Sequence, residues 1–405
     1  MTSPVDPDPA PRPTRRVWVR RTAIGVGLVL VLVVVALFTV VPGVVERSLN
    51  KVVPAELPEV SAQSRAVHDR ITVVDMHADT LMWDRDLLER GSRGHVDLPR
   101  LQEGNVALQV FSSVSKSPRG MNVDSTSADS DNITLLAIAQ RQPLRTWRSL
   151  LERSLHHADK LDQAARDSDG RLQLVRTKGD LDDLLAARGA GEQVTGAMFS
   201  VEGLQNLEGD ADNLAKLFDA GARMAGFTHF FDNEVSGSMH GEEKGALTEL
   251  GREVLAEMER LGMVVDVAHI SEPALAEILE LATRPVVSSH GGVAATCDTN
   301  RNLSDEQIRG VAQTGGVVGI GYWEAAVCER TVTAVVDAIE HVIEVGGLET
   351  AALGSDFDGA VATGWDTSQI AAVTHELLER GHSEADVAAI MGGNTLRVLR
   401  EVLPQ

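Results

Sequence analysis

Cysteine is nearly missing from this chain. The 405 residues contain two, too few for a disulfide-rich scaffold or a four-thiolate zinc site. Basic residues are scarce beside acidic ones, 37 Lys+Arg against 59 Asp+Glu, for a formal net charge of −22. Phosphate binding needs a basic face, and no basic stretch interleaved with aromatics occurs. Nucleic acid is therefore excluded as the main partner. No G-x-G-x-x-G follows any early strand-like run, which argues against a doubly wound dinucleotide fold. The rest of the composition is ordinary, with 43% hydrophobic and 24% charged residues, and this excludes disorder as the main state. The length suits one large barrel or two ordinary domains. Twelve histidines leave room for a metal site built on imidazole.

Charge is also missing over one long run. Residues 23–41 (AIGVGLVLVLVVVALFTVV) carry none over nineteen positions. At about 1.5 Å per residue this matches the roughly 30 Å hydrocarbon core of a bilayer. Residues 1–22 hold five arginines against two aspartates, net +3, which leaves −25 for the remainder. The positive-inside rule then keeps residues 1–22 in the cytoplasm and sends the acidic body across the membrane. The run lacks an A-x-A-like cleavage site and is longer than a secretory core, so the reading is an uncleaved signal anchor. Residues 42–65, with Pro54 and Pro58, read as a stalk, and 66–405 as the globular body.

Within the body, short β-branched runs alternate with helical spacing. The expected strands are Ile71–Met76, Val106–Phe111, Ala197–Val201, Met224–Thr228, Met263–Val267, Pro285–Ser289, Gly316–Ile320 and Ala351–Gly354. In Thr248–Leu261 the apolar residues Leu250, Val254, Leu255, Met258 and Leu261 fall on one helix face, and Ser304 with Gln307 reads as a capping box. Eight such units predict an α/β fold, a (β/α)8 TIM-like barrel, with 134–190 as a helical insertion. Residues 112–133 and 232–247 read as long loops, and loops after strand C-termini are where such barrels carry their sites.

Six of the eight strands end in His, Asp or Glu: His77-Ala78-Asp79, Glu202, His229, His269, His290 and Asp356. One such residue reads most simply as a cap or hydrogen-bonding group. Independent capping would not choose four histidines and three carboxylates at one rim. Imidazoles and carboxylates without thiolates suit two catalytic zinc ions sharing a bridging hydroxide. Positions i and i+2 of an extended segment point the same way, which assigns His77 and Asp79 to one ion. His269 and His290 fall to the other, and Glu202 is the natural bridge. Asp356 and Asp358 compete as proton carrier, with Asp356 preferred as nearest the strand end. His229 is placed for an oxyanion, and Arg301 offers a fork for a substrate carboxylate.

The stretches VVDMHADT, VEGLQNLEGD, GFTHFFDN, LGMVVDVAHIS, PVVSSHGG, TNRNLSD, LGSDFDG and GGNTLRVL resemble, in order, the membrane (renal-type) dipeptidases. That resemblance runs from about residue 70 to 400 and implies a binuclear zinc peptidase on a barrel. It implies metal ligands His77, Asp79, Glu202, His269 and His290, with Glu202 bridging. It also implies substrate contacts His229 and Arg301, Asp356 as acid/base, a disulfide between Cys297 and Cys328, and a homodimer. The aromatic Phe230-Phe231 after His229 departs from the pattern and bears on side-chain preference. The activity expected is hydrolysis of dipeptides at the extracytoplasmic face of the cell membrane. The alternatives are an amidohydrolase acting on N-acyl amino acids or β-lactam-like amides, and a non-catalytic anchored binding protein.

Overall fold

Runs of Val, Ile, Leu and Ala need cover on both faces, and in the computed structural model a parallel barrel provides it. The structure describes residues 15–405 together with Ser3, Val5 and Asp6. The barrel strands are β1 (Val73–Ala78), β2 (Val106–Phe111), β3 (Thr195–Glu202), β4 (Ala222–Gly226), β5 (Val264–Asp266), β6 (Val286–Ser288), β7 (Val317–Ile320) and β8 (Ala351–Leu353). Each pairs in parallel with the next in that order. All eight expected strands are present, with ends moved by two residues at most. Closure comes at the C-terminal rim, where Ala78 bridges Phe357 and the Asp79 N–H donates to the Phe357 carbonyl at 2.9 Å.

Side chains alternate between two cores. Val74, Met76, Leu108, Val110, Met198 and Met224 fill the barrel interior, which Leu396, Leu399 and Val402 of the last helix plug from below. Val73, Ala78, Phe111, Val201 and Val265 face outward against the helices. Strict alternation after Val74 and Met76 would aim Ala78 inward and His77 outward. A register shift between Asp75 and Ala78 reverses this parity. It puts Ala78 in the outer core and frees His77 for the interior, the ordinary use of a bulge beside a site.

The helices follow their sequence signals. Glu249–Leu261 starts on Thr248, whose side chain accepts from Gly251, and stops at Gly262, where φ is 76° and only glycine is unstrained. Ser304 and Gln307 form the expected capping box. The insertion holds helices Asn132–Ala139, Leu150–Asp167 and Lys178–Gly189. Buried Arg153 ties it to the loop before it by donating to Ser115 O at 2.7 Å and Asp131 Oδ2 at 2.6 Å.

The N-terminal apolar run lies in helix Arg15–Thr39, and the stretch Trp18–Thr39 has mean hydropathy 2.7 with none of it buried against the body. Residues 42–65, read from sequence as a stalk, carry regular structure. Helix Val41–Leu49 follows after one residue, and Lys51–Val52 pairs in parallel with Ala362–Thr363. Glu46 in that helix is 1% exposed, paired with Arg85 and Arg93. Long-range ion pairing of this kind leaves no local trace in composition.

Candidate active site

Every expected rim residue converges on Glu202. Its Oε1 lies 3.0 Å from His269 Nε2, 3.3 Å from His290 Nε2 and 3.7 Å from His77 Nε2. His229 Nε2 is 3.6 Å from Oε2, and Asp79 Oδ1 is 3.5 Å from His77 Nε2. His77, Asp79 and Glu202 bring one ligand atom each within 4.8 Å of one another, as do Glu202, His229 and His269. These side chains are at most 9% exposed. His77 Nε2, Asp79 Oδ1 and Glu202 Oε2 are buried without a hydrogen-bond partner among the described residues. Converging lone pairs that lack donors are costly in a protein interior and fit cations. His269 and Asp356 adopt φ of 62° and 59°, a left-handed conformation that non-glycine residues keep only where surroundings enforce it.

The charge distribution is correspondingly strained. Burial, then repulsion from Asp79, lifts Glu202 well above the usual carboxylate range. Burial also pushes Asp356 up to about 8, with Asp79 adding to it against His77 and Arg301. His77 loses basicity to burial, but Asp79 and Glu202 more than restore it and carry it to about 10. Burial, reinforced by positive Arg301, holds His269 and His290 well below their ordinary value. Both stay neutral, with lone pairs free for a ligand bond.

Asp356 and Asp358 separate cleanly. Asp356 faces the cavity, and a side chain on Gly359 would collide with the carboxylates of Asp356 and Asp79. Only glycine permits that approach. Asp358 turns away from the cavity and is saturated. It accepts from Thr80 Oγ1 at 2.8 Å, from the His95 N–H at 2.7 Å and from Arg85. Burial raises its pKa, but Arg85 and then His95 overcome this and hold the carboxyl far below its usual range. It is a permanently charged clamp.

Arg301, 2% exposed, donates from Nη2 to the His290 carbonyl at 2.9 Å, while its Nε has no partner among the described residues. Its guanidinium lies 5.6 Å from the Trp323 ring. The loop bearing it is tied down by the Cys297–Cys328 disulfide, with Cα atoms 5.4 Å apart. Sequence reasoning missed several residues here. Asp266 Oδ2 accepts from Ser289 Oγ at 2.6 Å, and Ser289 Oγ lies 2.9 Å from His290 Nδ1. This chain orients the His290 ring, as outer partners of metal-binding imidazoles do. The acidic residue three positions before His269 was the available signal. Buried His240, stacked on Phe230 with ring centres 4.5 Å apart, was hidden in a loop-like stretch. A cavity of about 480 Å³ opens over Asp79, Glu202, His229, His269, Arg301 and Asp356.

Barrel and rim together define a hydrolase of the metallopeptidase class. The sequence profile of the membrane dipeptidase family, peptidase family M19, matches residues 61–404, and the chain belongs to that family. It is 29% identical over 356 residues to Dipeptidase aclJ of Aspergillus oryzae, covering 82% of this chain and 78% of that one. The fold is shared with the probable dipeptidase PvdM from Pseudomonas aeruginosa, at TM-score 0.71 and 20% identity over 84% of this chain and 98% of that one. It is shared also with a metallo peptidase from Rhodobacter sphaeroides liganded with a phosphinate mimic of the dipeptide L-Ala-D-Ala. There the TM-score is 0.67, with 22% identity over 82% of this chain and 99% of that one.

Proposed function

We propose that this protein hydrolyses dipeptides with two zinc ions, one held by His77 and Asp79, the other by His269 and His290, with Glu202 spanning both. The observation that carries the reading is the placement of three imidazole Nε2 atoms within 3.7 Å of one buried Glu202 oxygen. When bound, such a metal pair supplies an activated water and Lewis acidity toward the amide carbonyl. The chain's own residues do the rest. Arg301, with its Nε edge free, binds the terminal carboxylate and fixes which amide enters. His229, kept neutral because burial lowers its pKa to about 4, donates to the oxygen that gains charge. Asp356 takes the proton from the attacking water and delivers it to the leaving amine. A neighbouring cation would draw its raised pKa back toward neutrality, the range such a carrier needs.

The location proposed is a single-pass anchor, residues 23–41, most of which lie in helix Arg15–Thr39, with residues 1–22 cytoplasmic and the body outside. Arg15, Arg16, Arg20 and Arg21 on one side of the apolar run support that orientation. The Cys297–Cys328 bridge supports an oxidising compartment.

The test uses full-length protein in detergent, with metal content measured and L,L- and L,D-dipeptides compared with tripeptides and N-acyl amino acids. About two zinc per chain and rapid dipeptide turnover are expected, lost on chelation and restored by zinc. Turnover that survives complete metal removal, or preference for N-acyl amino acids, would sink the reading. The bridge gives a separate expectation. Replacing Cys297 and Cys328 by Ser should lower unfolding free energy by about 3 kcal/mol. It should also raise KM more than it lowers kcat, because Arg301 loses its tether; denaturant melts and steady-state kinetics read both.

A further inference from the structure

The family profile begins at residue 61, yet part of the cavity wall comes from earlier in the chain. Helix Val41–Leu49 and the strand after it are fastened to the loop that follows Asp356. Asn50 Oδ1 accepts from the Ala360 N–H at 2.8 Å. The N–H groups of Lys51, Val53 and Ala55 donate to the carbonyls of Val361, Thr363 and Gly364 at 3.3, 2.8 and 3.2 Å. Below them Glu46 pairs with Arg85, and Arg85 pairs in turn with Asp358. A buried ion pair broken at one end leaves a stranded charge, so this chain holds the helix firmly.

The held helix turns Val45 and Leu49, one turn apart, toward the cavity that also contains Asp79, Glu202 and Asp356. Across from them stand Trp83, Val114, Ile133 and Leu136, and Val45 packs against this cluster. Among the described residues, the charged groups lining the cavity, Asp79, Glu202, Arg301 and Asp356, are at most 8% exposed, whereas Leu49 is 42% exposed. A dipeptide with its carboxylate on Arg301 and its amide at Glu202 sends the side chain of its N-terminal residue outward, into this uncharged part. A charged side chain there would lose hydration and find no partner.

We propose that Val45 and Leu49 are specificity-determining residues, and that the helix beside the membrane anchor selects dipeptides whose N-terminal residue carries a bulky apolar side chain. The proposal rests on the dipeptidase reading above. The experiment uses the full chain in detergent and dipeptides with one fixed C-terminal residue and N-terminal Leu, Phe, Ala, Asp or Lys. Wild type should favour Leu and Phe over Asp and Lys by roughly tenfold or more in kcat/KM. Leu49→Ala and Val45→Ala should raise KM for the Leu and Phe substrates roughly tenfold with kcat held, and shift the Ala substrate less than about twofold. Leu49→Lys, at a position already 42% exposed and so tolerant of charge, should improve the Asp substrate relative to Leu. Val44→Ala, 59% exposed and off the cavity, is the matched control and should change neither ratio. If wild type cleaves dipeptides but these ratios do not move, or all substrates fall equally, the wall assignment is wrong and the dipeptidase reading stands. If wild type cleaves no dipeptide, both fall.

Discussion

Glu202→Gln is expected to cost at least about a thousandfold in kcat/KM and to reduce bound metal from about two ions per chain to one or none. The amide keeps the shape of the side chain and its place at the end of β3, but it removes the charge that three imidazoles surround and that the proposed metal pair would share. Charge stabilisation by a metal is worth several kcal/mol, and each 1.36 kcal/mol is tenfold in rate. Stability gives the discriminating control. In metal-free protein Glu202 is a buried carboxyl raised by desolvation and by Asp79, so neutralising it there should leave the melting temperature unchanged or higher. A variant that keeps both ions and its activity would remove Glu202 from the bridging position. A variant that merely unfolds would show in the metal-free melt.

The second large effect separates Asp356 from Asp358. Asp356→Asn should lower kcat about 10²–10⁴-fold with metal content and melting temperature near wild type, since it removes a proton carrier facing the cavity. Asp358→Asn should instead cost about 3–5 kcal/mol of stability, because Arg85 loses one partner of a buried pair. The pH dependence has a definite sign. The folded pKa of Asp358 lies below its unfolded value. Its contribution is therefore complete above the unfolded pKa of about 4 and is withdrawn as pH falls below that toward the folded value. Acid unfolding monitored between pH 6 and 2 should show wild type losing its advantage over Asp358→Asn across that fall. Equal pH dependence in the two proteins would contradict the clamp.

What the sequence could show follows from the range over which each signal acts. Short apolar runs such as ITVV and PVV, set between helical spacings, state locally that a strand is buried on both faces, and the eight strands were legible from that alternation. The convergence of His77, Glu202, His269 and His290 was legible because residues at strand ends share one rim in a barrel. The bulge that aims His77 inward was not, because parity depends on the pairing of β1 with β2. Asp266 was passed over because its partner Ser289 sits on the next strand. Asp358 competed with Asp356, which was preferred only for its place nearest the strand end, because Arg85 and His95, which occupy Asp358, are far away in sequence. The Cys297–Cys328 pairing came from resemblance, since spacing alone does not choose partners. Residues 42–65 misled most: Pro54 and Pro58 suggest a linker, whereas Glu46 is fixed by arginines about forty residues on.

Only Val40 separates helix Arg15–Thr39 from helix Val41–Leu49. On the proposed topology this leaves no slack between bilayer and enzyme. The cavity mouth would then be held close to the lipid headgroups rather than on a long leash. A protease releasing the body would have to cut within or beside an ordered helix that forms part of the substrate wall. If both proposals hold, shedding would blunt selectivity as it freed the enzyme, and the useful concentration would be counted per area of membrane.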